Sequence, residues 1–321
     1  MAERTSSRPV SIWLQTQVML TVISRRMNIL LTSDLHLNIP ERSRRTGHTT
    51  FSAFAESIAR ENPDAVVVAG DIGIPDKAGE HLVALRRVVG NRPLAFCVGN
   101  HDLWVSPGRH GEFGAIVDVV ARFWREPAGD VGAVLLDEEN ADFGDVIISG
   151  GYGHFDLGHA IPNLCVGGML VTERIYLSGG MGGLRWRDFE YIPNCGSRLQ
   201  ADAREQAKSI AIRLDQAIAT GKRVLATMHT CPWPELNGHP ASGNVTDILA
   251  AYGGNSLLGA ELEKSAASIE WLMCGHTHMP VRERILHGTR ALNVGTDYGY
   301  YRGVIYDTDD HSVRWVGEPI A

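Results

Sequence analysis

Two aspartates, one asparagine and four histidines close apolar runs in this chain, and together they offer donors enough for two metal ions. The runs are NILLTSDLH, ending on Asp34 and His36; AVVVAGD, ending on Asp71; PLAFCVGNHD, ending on Asn100; RVLATMH, ending on His229; and WLMCGHTH, ending on His276 and His278. The donor set is carboxylate oxygen, amide oxygen and imidazole nitrogen, with no thiolate. Such a mixture suits manganese, iron, zinc, cobalt or nickel better than calcium, magnesium or an iron–sulfur cluster. Seven ligands are too many for one tetrahedral ion that must also bind substrate. With one carboxylate bridging, they suit two divalent ions sharing a hydroxide, the arrangement used for in-line displacement at phosphorus with metals ~3.5–4 Å apart.

Residues so far apart in sequence need a frame that brings them together. Each run has the length and the β-branched or apolar content of a strand buried on both faces. A parallel sheet presents the carboxyl ends of its strands along one edge, where open α/β sheets bind ligands. Between the runs, residues 49–61 and 77–89 read as helices, giving a βαβαβ start. Residues 112–125 read as a third helix, and 133–136 and 146–149 as short strands. A long helix over 201–220, closed by Gly221, precedes the His229 strand. Beyond GHTH, residues 281–286, 290–294, 303–307 and 312–316 read as short strands separated by turns.

The ordered set DLH at Asp34 to His36, GD at Gly70 and Asp71, GNHD at Gly99 to Asp102, His229 after a strand, and GHTH at Gly275 to His278 resembles the calcineurin-like metallophosphoesterase superfamily. The resemblance runs from about Asn28 to about Val316. It implies an α/β fold, a four-layer α/β/β/α sandwich of two mixed sheets with flanking helices. It implies that Asp34, His36 and His278 hold one metal, that Asn100, His229 and His276 hold the other, and that Asp71 bridges them. His101 would then sit beside the leaving group as the catalytic imidazole. One departure stands out: relatives commonly read GDxxD, the second Asp orienting that histidine, whereas Gly70 to Ile74 here read GDIGI. Asp76 and Asp102 are the candidates to replace it.

At 321 residues the chain is long for one domain, and we expect a single metallophosphoesterase domain over 27–321 carrying an insertion at about 150–198. That stretch is rich in glycine with scattered aromatics, and irregular segments of this length tend to be lids. Within it, Tyr152 and His154 are candidate substrate contacts, and WRDFEYI from Trp186 is similar to a segment near the substrate in some relatives. A plain surface insertion is the competing reading. GGMGG at Gly179 to Gly183 lacks the strand–turn–helix frame of a dinucleotide site.

A net charge of -7 and a pI near 6.0 give no basic field for non-specific nucleic-acid binding. The basic cluster Arg42, Arg44 and Arg45 follows DLH, and Arg45 is a candidate phosphate contact, with a solvated loop as the bland alternative. Five cysteines without a CxxC indicate no disulfide framework and a reducing cytoplasm. No run approaches a membrane span, so no membrane partner is expected. Residues 1–26 read as a disordered or mispredicted extension before Met27, with an amphipathic targeting segment as the alternative. The sequence thus points to a metal-dependent hydrolase of phosphomonoesters or phosphodiesters, using two manganese, iron or zinc ions. Its substrate would be a small-molecule phosphate ester or a phosphorylated side chain. A non-catalytic metal-binding interaction protein on the same fold and a nuclease are the alternatives.

Overall fold

The computed structural model describes residues 26–42, 47–239 and 241–318. Arg44, Arg45 and all of the expected N-terminal extension except Arg26 lie outside them. Fourteen strands are present among the described residues. The first sheet holds β1 (Asn28–Thr32), β2 (Ala65–Ala69), β3 (Leu94–Cys97), β4 (Val134–Leu135), β13 (Arg302–Asp307) and β14 (Val313–Gly317). Its order is β14-β13-β1-β2-β3-β4, parallel from β1 to β4 and antiparallel at β13 and β14. The second holds β5 (Ala141–Asp142), β6 (Val146–Gly151), β9 (Arg223–Met228), β10 (Trp271–Cys274), β11 (Val281–Leu286) and β12 (Thr289–Asn293). Its order is β11-β12-β10-β9-β6-β5, with β6, β9, β10 and β12 parallel and the two edges antiparallel.

Strand alternation explains the layering. In β1, Ile29 and Leu31 face the second sheet and pack with Ile148, Leu225 and Met273, while Leu30 faces outward with Val66 and Phe96. The outward face is covered by Phe54 of α1 (Thr50–Glu61) and by Leu82 and Leu85 of α2 (Ala78–Val89). On the far side, Val224, Ala226 and Leu272 meet Ile210 and Leu214 of the long helix and Leu258 and Leu262 of the helix Ser256–Glu263. The result is the expected α/β/β/α sandwich. No described helix is long and apolar enough to cross a membrane.

Helix ends differ from expectation for local reasons. The residue 112–125 helix is broken: a 3₁₀ turn runs over Pro107–Glu112, then come α3 (Ile116–Phe123) and α4 (Arg125–Asp130). Asp118 takes the amides of Gly114 and Ala115 at 2.8 and 2.9 Å, which caps the chain and restarts the helix there. Between β6 and the long helix the chain forms a small hairpin of β7 (Cys165–Val166) and β8 (Met169–Leu170), then α5 (Glu173–Leu177) and α6 (Asp188–Tyr191). The long helix, α7 (Cys195–Ala219), begins six residues before Ala201 because Asn194, at φ 58°, offers its carbonyl to the amides of Ser197 and Arg198. Residues 231–268, where no element is expected from the sequence, hold a 3₁₀ stretch over Val245–Tyr252 and α8 (Ser256–Glu263).

Candidate metal centre

Five strands end at one rim. Asp34 and His36 follow β1, Asp71 follows β2, Asn100 follows β3, His229 follows β9, and His276 and His278 follow β10. Leaving a strand with the side chain aimed back over the sheet edge demands an abrupt reversal of the backbone. Asp34, His36, Asp71, His276 and His278 all take it with positive φ, between 43° and 70°. Non-glycine residues rarely adopt this region, and such strain concentrates at functional sites. Gly70 and Gly99 provide the clearance: a Cβ on Gly70 would lie 2.4 Å from His229 Nδ1, and one on Gly99 would lie 2.2 Å from Asp71 Oδ1.

The side chains converge around Asp71. Its Oδ1 lies 3.5 Å from His229 Nε2, and its Oδ2 lies 3.7 Å from His36 Nε2. On one side, Asp34 Oδ1 is 3.5 Å from His278 Nε2, and the Nε2 atoms of His36 and His278 are 3.4 Å apart. On the other, Asn100 Oδ1 is 3.0 Å from His229 Nε2 and 2.9 Å from His276 Nδ1. Three of the four imidazoles have the second nitrogen committed elsewhere. His229 Nδ1 meets the Ala69 carbonyl at 2.8 Å, His276 Nε2 the Tyr252 carbonyl at 2.9 Å, and His278 Nδ1 the Asp297 carboxylate at 3.0 Å. Such partners orient each ring and, in its neutral form, hold the proton on the outer nitrogen with the inner lone pair turned to the cluster.

Divalent cations fit these residues. Asp34 Oδ1 is buried and accepts no hydrogen bond among the described residues, and an orphaned carboxylate oxygen among inward imidazole nitrogens is the donor arrangement a cation satisfies. Burial, then the neighbouring His278, lowers the pKa of His36 to about 3, and burial likewise pulls down His229 and His276. Neutral imidazole is the form that binds metal. Burial and the adjacent Asp34 push Asp71 well up, a repulsion between carboxylates that positive charge between them would relieve. Burial alone would lower His278, but Asp297 and Asp34 outweigh it and hold its pKa at about 9, so a metal there must displace a proton.

A sequence profile described as calcineurin-like phosphoesterase matches residues 27–280. The chain belongs to this family. No curated protein matches the sequence. Among solved structures, TT1561 of Thermus thermophilus superposes with a TM-score of 0.50 at 12% identity, covering 91% of this chain and 99% of that one. A dimetal phosphatase from Danio rerio gives 0.45 at 13% identity, covering 91% and 98%. A purple acid phosphatase from yellow lupin gives 0.47 at 12% identity, covering 92% and 52%. At these identities the likeness concerns the fold alone.

In this family member the rim is the floor of an open cavity of about 480 Å³, reached by Asp71, Asn100, His101, His276 and His278. Arg185, Trp186 and Arg187, from the segment before α6, form part of its wall. The two insertion residues expected to contact substrate are elsewhere. Tyr152 and His154 are fully buried, joined Oη to Nδ1 at 3.0 Å, and Tyr152 packs behind His229. They continue β6 inward, so the strand that delivers them also hides them. Neither replacement suggested for the missing carboxylate reaches His101. Asp102 is saturated by the amides of Ile72, Gly73 and Gly99 at 3.1, 2.7 and 2.8 Å, and Asp76 pairs with Arg109 on the surface at 2.7 Å. Three further residues have roles the sequence did not reveal: Asp297 behind His278, Trp104 stacked on His101, and Asp188 behind Asn100. Only Asp188 carried a signal, as part of WRDFEYI.

Proposed function

We propose that this chain hydrolyses phosphomonoesters or phosphodiesters with two divalent cations held by the seven rim residues. Asp34, His36 and His278 would hold one, Asn100, His229 and His276 the other, with Asp71 bridging. The observation that carries the reading is that the donor cluster forms the floor of an open cavity rather than a sealed structural site. Bound there, two cations would offset phosphate charge and lower the pKa of a shared water, making the hydroxide for in-line attack.

His101 is the residue for the leaving group. Its Nε2 lies 4.0 Å from Asp71 Oδ2, beside the cluster and facing the cavity. Burial, then His36, holds its pKa well below the ordinary imidazole value. A phosphate dianion arriving next to it favours the protonated ring, which can then hand its proton to the departing oxygen. Arg185 and Arg187 add positive charge at the cavity mouth, and we assign residues 150–198 the role of a cap that shapes the pocket. The cavity suits a small-molecule phosphate ester or a phosphorylated side chain.

Hydrolysis of p-nitrophenyl phosphate and its bis ester with added manganese tests the reading. Wild type turns over at least one ester, Asp71→Ala abolishes turnover, and His101→Ala lowers kcat by roughly 10²–10⁴-fold. A metal-loaded wild-type protein inert toward every phosphate ester would leave the non-catalytic alternative.

A further inference from the structure

Two alignments at this centre have no source in the rim itself. The Asn100 amide must present oxygen to the cluster rather than its NH2 group, and the two ends of an amide are nearly the same shape. His101 must hold its ring toward the cavity, yet the position where relatives carry an orienting carboxylate is Ile74. Its Nδ1 is buried and takes no hydrogen bond among the described residues.

One side chain accounts for both. Asp188, 1% exposed, receives Asn100 Nδ2 at 3.0 Å and Trp104 Nε1 at 2.7 Å on Oδ1, and Trp186 Nε1 at 2.9 Å on Oδ2. A carboxylate accepts and does not donate, so the amide must turn its NH2 toward Asp188, which points Oδ1 at His229 and His276. The second bond fixes the Trp104 indole, which lies flat on the His101 ring at 3.7 Å between centroids and 21° between planes. Tyr191 backs the indole from the same insertion at 5.2 Å. A stacked plane thereby does for His101 what a hydrogen-bonded carboxylate does in relatives. Trp186 completes the clamp: it stacks on Tyr252 at 5.1 Å, and the Tyr252 carbonyl receives His276.

We propose that Asp188 is a positioning residue that fixes the orientation of Asn100 and, through Trp104, of His101, in place of the carboxylate missing at position 74. The His101 half rests on the function proposed above; the Asn100 half rests only on cation binding.

The test uses Asp188→Asn, Trp104→Leu and Trp104→Phe in the full chain. The readouts are manganese bound per chain at graded free metal, and kcat and KM on p-nitrophenyl phosphate and on an alkyl phosphate with a poor leaving group. Asp188→Asn removes the charge and sets an NH2 against at least one of the three donors, Trp186 or the Asn100–Trp104 pair; its metal affinity should fall about 10–100-fold, and kcat should fall further on the alkyl ester than on the nitrophenyl ester. Trp104→Leu should bind manganese as wild type does while losing roughly 10-fold or more in kcat on the alkyl ester relative to the nitrophenyl ester, because only the poor leaving group needs a well-placed acid. Trp104→Phe, which keeps a stacking ring, should lie between Leu and wild type. Wild-type metal affinity and an unchanged ratio of the two esters in a folded Asp188→Asn overturn the proposal, as does an equal loss on both esters at full metal content. Should Asp188→Asn fail to fold, an unchanged ester ratio in Trp104→Leu overturns the His101 half, and Asp188→Glu with wild-type metal affinity overturns the Asn100 half, since the longer stem displaces the acceptor. A wild type inert toward all esters removes the phosphoesterase reading, while the metal titration still decides the role of Asp188 toward Asn100.

Discussion

A ligand is defined as much by the atom behind it as by the atom in front. His278 is turned by Asp297, whose side chain is 43% exposed and contributes little to packing. Asp297→Asn should therefore weaken metal binding by about 10–100-fold, and near neutral pH the metal-free protein, losing the pairing with His278, should melt slightly lower than wild type. Titration with manganese under calorimetry checks it, and unchanged affinity would mean that the carboxylate is incidental. Nothing in the sequence announced Asp297, which lies nineteen residues after His278 in a loop. The seven rim residues were legible because their types are those that bind cations and each closes a strand. Their outer partners were not, because two are backbone carbonyls, of Ala69 and Tyr252, and a carbonyl carries no residue identity.

Elements bring these residues together only where the backbone can turn sharply. Gly70 sits at φ +80° with His229 against its Cα, so Gly70→Ala combines backbone strain with a collision. It should destabilise the fold by about 1–3 kcal/mol and sharply weaken metal binding, read by denaturant melts and metal content. Thr49→Ala is the contrast. It removes the hydroxyl that accepts the Ser52 amide at the start of α1, costing about 1 kcal/mol, with kcat unaffected because that cap lies outside the cavity wall. The strands that end at the rim and the helices Thr50–Glu61 and Ala78–Val89 on the first sheet were readable from apolar periodicity within a residue or two, whereas α7 begins six residues early and α8 carried no readable period. The insertion was not readable, since β7, β8, α5 and α6 span two to five residues each, and α5 and α6 gain their order from packing on the sandwich.

At the scale of the molecule, the rim joins two layers. Asp34, His36, Asp71 and Asn100 come from the first sheet, and His229, His276 and His278 from the second. A cation bound by both binds only the folded chain, so its affinity adds to stability. Manganese at a hundred times its dissociation constant should add roughly 2.7 kcal/mol, raising the melting temperature. Chelator should reverse the rise, and Asp71→Ala should show none. A melting temperature indifferent to metal would argue that the sheets are not linked through this site.

The pairing of β1 between β2 and β13 also bears on how the chain is made. A ribosome delivers NILLT long before Arg302–Asp307, so one edge of the first strand waits with its backbone amides and carbonyls unpaired while the residues between are made. Nascent chains stalled before residue 302 should be the ones that chaperones retain and that aggregate when released.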